Sequence, residues 1–212
     1  KRFILARVQA PGDTRMATDD WPFLYLRQPM IPTQSLRGMA IMGALAFLLI
    51  FLFLPKREAR PTAGRFSPRM FFLGAGFMLI ETKAVVHMAL LFGSTWMVNS
   101  VVFFAVLVMI LLANLFVLRF KPDNLRVYYA GLLVSLTLNI FIPLDFFLGM
   151  NRLAQAATSC LLVFAPILFA GVVFAVSFRE SAAPDRDFGA NTAGAMAGGL
   201  AENASMLLGF RY

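Results

Sequence analysis

Five apolar runs, each close to the length of a bilayer crossing, leave this chain few ways to fold. They occupy residues 36–54, 70–92, 97–118, 126–148 and 153–178. A helix rises about 1.5 Å per residue, so about 20 apolar residues cross the hydrocarbon core. A globule in water could bury such runs only under a polar surface. A soluble domain carries about a quarter charged residues, and this chain carries 14% against 59% hydrophobic. The expected class is an all-α integral membrane protein. Its single cysteine, Cys160, excludes an internal disulfide.

A sixth stretch, 189–208, reads GANTAGAMAGGLAENASMLL and is built from small residues. Gly189, Ala193, Ala197 and Ala201 recur every fourth position, and Ala190, Gly194 and Gly198 form a neighbouring column. In water such a segment is a poor helix, since Gly costs about 1 kcal/mol relative to Ala. In a membrane, small residues four apart let two backbones approach closely. The reading is a sixth span, with Gly189, Ala193, Gly194, Ala197, Gly198 and Ala201 as its packing residues. The whole is then a bundle of about six transmembrane helices over 36–212. Residues 1–35, with Pro11, Pro22, Pro29 and Pro32, form an extended polar arm outside it.

Six spans put both ends of the chain on one side. The loops opposite hold Lys56, Arg57, Arg60, Arg65, Arg69, Arg119, Lys121, Arg126, Arg179 and Arg186. The terminal side has Arg27, Arg37, Arg152 and Arg211 near the spans. Basic loops stay cytoplasmic, so loops 55–69, 119–126 and 179–188 are expected to face the cytoplasm. The net charge of +8 is then read as headgroup attraction, and nucleic acid is not an expected partner. The expected partners are the lipid bilayer and other membrane subunits or further copies.

Charges inside the runs need a reason, because an ionised group facing lipid costs at least about 3 kcal/mol. Counted from the basic side, Lys83, Asn139 and Glu202 each lie roughly 20 Å deep on three different spans. Glu81 lies about 17 Å deep but on another face of its helix. His87 shares the Lys83 face, and His87 and Asp145 lie toward the terminal side. One reading pairs Lys83 with Glu202 and lets Asn139 complete a structural layer. The other makes Glu81, Lys83, His87 and Asp145 a proton or ion path. Pro143, four residues after Asn139, takes away the helical donor for the Asn139 carbonyl, so a kink is expected there. His87 is the only histidine, which excludes a His-rich metal site. No catalytic set stands in these residues, and no cofactor or metal is expected in this segment.

Three blocks carry a family likeness. They are ATDDWPFLYLR, then FFLGAGFMLIETKAVVHMALLFGSTWMVNSVVFFAVLVMILLAN, then GANTAGAMAGGLAENASMLLGFRY. Together they resemble the carboxyl-terminal membrane part of bacterial spermidine-synthase-like multi-pass membrane proteins. The resemblance implies a Rossmann-like domain upstream, similar to aminopropyltransferases and S-adenosylmethionine-dependent methyltransferases, with 1–25 as its closing edge. An S-adenosylmethionine-type ligand and any such activity would belong to that domain, and no catalytic residue is carried over. Three functions follow. One is the non-catalytic membrane anchor or scaffold of such a protein. Another is an accessory structural subunit of a larger energy-transducing complex, meeting partner helices or pigments. The third is a transporter using the polar layer.

Overall fold

The computed structural model describes residues 18, 21–23, 26, 28–53, 66–143 and 145–209. Among them every regular element is a helix: α1 (Thr33–Phe53), α2 (Pro68–Phe92), α3 (Trp96–Phe120), α4 (Leu125–Phe141), α5 (Asp145–Leu148), α6 (Arg152–Arg179), α7 (Pro184–Ala201) and α8 (Ser205–Leu208). The chain divides into two compact units, Phe51–Glu202 and Lys1–Ile50 with Asn203–Tyr212. Most of the expected arm, and most of the basic 55–69 loop, lie outside the described residues.

In the larger unit the helix ends follow from local chemistry. Pro68 opens α2, where its missing N–H is no loss, and Gly93 closes it at φ 94°. The Thr95 hydroxyl accepts from Val98 N–H at 3.2 Å to start α3. Lys121 closes α3 in the left-handed region at φ 45°, and Pro122 follows. Asn124 and Asn151 cap α4 and α6 by accepting from Arg126 and Ala154 N–H at 3.0 and 2.8 Å.

α2, α3 and α6 are each long and apolar enough to cross a membrane, while α4 is apolar but has 17 residues. The fourth run, expected as one kinked helix over 126–148, is in fact two. α4 stops at Phe141, Ile142 turns extended at ψ 109°, and α5 starts at Asp145. A proline disfavours the helical conformation of the residue before it, so Pro143 ends the helix rather than bending it. The sixth run is shifted too. Its helix starts earlier, at Pro184, and ends at Ala201, before a tight turn over Glu202–Ala204.

Contacts between helices fix their directions. Val102 and Val106 share one core cluster with Val163, Phe164 and Ile167. Ala113 and Val117 share the next with Val172 and Val176. α3 and α6 therefore run parallel. Asn139 meets Leu162, and Gly131 meets Phe169, so α4 is antiparallel to α6. Ala84 and Met88 join the first cluster, while Arg69 reaches Ser177; α2 is thus antiparallel to α6. Each successive long helix in this unit reverses direction, with α6 buried at the centre. Reversal gathers Arg69, Arg119, Lys121, Arg126, Arg179 and Arg186 at one end, with Asp123, Glu180, Asp185 and Asp187.

The smaller unit holds α1 as far as Ile50, and α8. α1 exposes Ile41, Met42 and Phe47. Trp21, fully buried, donates its indole N–H to the Met206 carbonyl at 2.8 Å and stands edge-on to Phe23. Residues far apart in sequence are tied together there.

Candidate functional site

The closest approach in the larger unit is between α2 and α7. Ala190, Gly194 and Gly198 are the buried residues of α7. A Cβ added at Gly194 would fall on the Phe71 carbonyl, and one at Gly74 on the Asn191 carbonyl. One at Gly198 would lie 2.5 Å from the Ala75 carbonyl oxygen. Only a hydrogen fits at these three places, so the backbones touch directly. The Asn191 amide crosses the same seam and donates to the Met70 carbonyl at 3.1 Å. The pairings advance together, Met70 with Asn191, Phe71 with Gly194 and Ala75 with Gly198, so α2 and α7 run parallel.

Of the two small-residue columns, the seam uses the one holding Gly194 and Gly198. Ala193 and Ala197 are half-buried beside it. Gly189 has open space where a Cβ would stand, and Ala201 is exposed. A helix has many faces with small residues, and only the partner's shape selects among them. Gly74, on the partner helix, is the residue that the column pattern alone did not single out.

Asn139 has a definite task. α6 contains Pro166, which has no N–H to offer the carbonyl four residues earlier. That carbonyl belongs to Leu162. The Asn139 amide donates to it at 2.7 Å and to the Ser135 carbonyl at 3.0 Å. A side chain of α4 thus supplies the bond that Pro166 removes from α6, as a buried polar group requires. The signal was present in the sequence, in a proline within an otherwise unbroken apolar run.

The other members of the expected polar layer are distributed along the helices. Glu81, Lys83 and His87 are half-buried on α2. Thr82, between the first two, donates back to the Met78 and Leu79 carbonyls at 3.1 Å. Glu202 is half-buried in the tight turn beyond α7, and Asp145 is exposed at the start of α5. Both amide hydrogens of Asn139 are committed to backbone carbonyls, so neither serves these charges.

A second junction lies at the basic end and was not legible from spacing. Arg69 donates to the Tyr129 hydroxyl at 3.2 Å and to the Ser177 hydroxyl. Ser177 in turn donates to the Val173 carbonyl at 2.5 Å. One guanidinium therefore joins α2, α4 and α6. Arg179 donates to the Pro122 carbonyl at 3.4 Å, fastening α6 to the α3–α4 turn. Among the described residues no cluster of His, Cys, Asp and Glu could hold a metal ion.

Fold and contacts together define, among the described residues, an all-helical architecture with three helices long and apolar enough to cross a membrane, held by a backbone seam and side-chain repairs. No family model, curated protein or solved structure matches the chain.

Proposed function

We propose that this chain is a non-catalytic multi-pass membrane scaffold, the membrane part of a spermidine-synthase-like protein, on which other membrane subunits pack. The observation that carries the reading is where the resemblance-bearing residues sit. The GAGFM block supplies Gly74, the GANTAGAMAGG stretch supplies Asn191, Gly194 and Gly198, and these meet in one seam. The AN pair supplies Ala113, packed 2.9 Å from where a Gly171 Cβ would stand. The DDWP segment supplies Trp21 with its bond to Met206. Every one of these residues packs or braces helices. Meanwhile α3 and α4 turn Phe104, Leu107, Leu118, Leu133 and Phe141 outward. Outward apolar faces of this extent suit lipid and partner helices. The cations at one end suit the cytoplasmic face of a bacterial inner membrane.

Extraction in mild detergent tests the proposal. The chain, 23.5 kDa by itself, should elute in a larger complex with other membrane subunits in fixed ratio. Glu81→Gln and His87→Ala should leave that assembly intact. A lone chain that conducts protons in liposomes, and loses conduction with Glu81→Gln, would overturn the scaffold in favour of a transporter.

A further inference from the structure

α3 and α4 both lean on α6 and are joined at the basic end by the short turn over residues 121–124. Between them lies a cleft of about 560 Å³, within the roughly 300–1,000 Å³ typical of ligand sites. Its walls are Leu112 and Leu115 of α3, Tyr128 of α4, and Leu168, Phe169 and Val172 of α6. Phe116 closes one flank, with its ring 5.9 Å from Tyr128 and 4.9 Å from Phe120. The polar exception is Arg119, at the mouth, its guanidinium 5.8 Å from the centre of the Phe120 ring.

Three properties identify the occupant. The walls are hydrocarbon and aromatic, so they favour an acyl chain over anything hydrated. The mouth is cationic: Arg119 lines it, and Lys121, Arg126 and Arg179 lie at the same end of the helices with Asp123 and Glu180, Arg179 being held to the α3–α4 turn and paired with Glu180 at 3.5 Å. The cleft is also short. Leu112 to Arg119 spans about 10 Å of helix, which is less than one leaflet of a core about 30 Å thick. A partner helix spanning the membrane would need a far longer groove. A lipid of the leaflet that carries the basic loops needs only this length.

We propose that this cleft seats one acyl chain of an anionic phospholipid, with the phosphate held by Arg119 and its neighbouring cations. The seat rests on the membrane reading given above.

Native mass spectrometry of the chain, released from nanodiscs of equal phosphatidylglycerol and phosphatidylethanolamine, is the test. The wild type should retain one phospholipid, with phosphatidylglycerol favoured about fivefold, the ratio expected when one cation contributes about 1 kcal/mol. Arg119→Gln should bring that preference near unity. Leu115→Trp should fill the cleft and remove the retained lipid, and Leu112→Trp should do the same one turn deeper. Leu115 and Leu112 are about half exposed, at 51% and 46%, so neither change loads the core. Leu138→Trp, on an outward face of α4 away from the cleft, should retain the lipid. Absence of retained lipid, equal retention of both lipids, or retention that survives both tryptophans would each overturn the seat. A second copy of the chain occupying the cleft would appear as a lipid-free dimer and overturn it as well. A chain that alkaline carbonate strips from membranes would sink the membrane reading itself. One that stays embedded but holds no phospholipid would sink only the seat.

Discussion

The α2–α7 seam and the α4–α6 contact hold helices together by opposite means. The seam works by removal: glycines leave nothing between two backbones, and dispersion at close range does the rest. The α4–α6 contact works by addition: the Asn139 amide reaches over and completes a ladder that Pro166 interrupts. A contact made of absent atoms tolerates no new ones. A bond made by one side chain can be lost singly, while the packing of Gly131 on Phe169 remains. The two therefore respond very differently to substitution.

The largest effect belongs to the seam. Gly194→Ala sets a methyl on the Phe71 carbonyl, which is backbone and cannot rotate aside. We expect a loss of about 3 kcal/mol, measured as unfolding in mixed micelles, and Gly194→Leu should prevent α7 from docking. A Gly194→Ala protein as stable as the wild type would show that the seam is looser than described. The intermediate effect belongs to the repair. Asn139→Leu should cost about 1 kcal/mol. In a Pro166→Ala background, where α6 completes its own ladder, that cost should fall toward zero. Equal costs in both backgrounds, read from a double-mutant cycle, would separate Asn139 from Pro166. The smallest effect lies just off the seam. Gly189→Ala meets nothing within 4 Å and should shift stability by no more than about 0.5 kcal/mol, toward the helix.

The helical class and the positions of α2, α3 and α6 were legible in the sequence because apolar length alone dictates them. The end of α4 was misread. Spacing predicts a bend at Pro143 in a long span, but the residue before a proline resists the helix, and Ile142 shows it by turning extended. The small-residue pattern of α7 was legible as a packing signal, but two columns competed. Choosing between them required Gly74, Phe71 and Ala75 on another helix. The link from Asn139 to Leu162 needed two facts joined across 23 residues, a proline and a donor at the same level, and spacing within one helix carries neither. The Arg69 junction was illegible for the same reason, since Ser177 lies 108 residues away.

The partners Met70 and Asn191 are 121 residues apart, and this separation has a consequence in time. A ribosome adding about 5–20 residues per second makes α2 roughly 6–24 s before α7. During that interval Gly74 of α2 waits for its partner while α3, α4 and α6 are still being made. The bundle must therefore keep a vacancy for its last helix. Any other strip of small residues within reach competes for that place until α7 arrives.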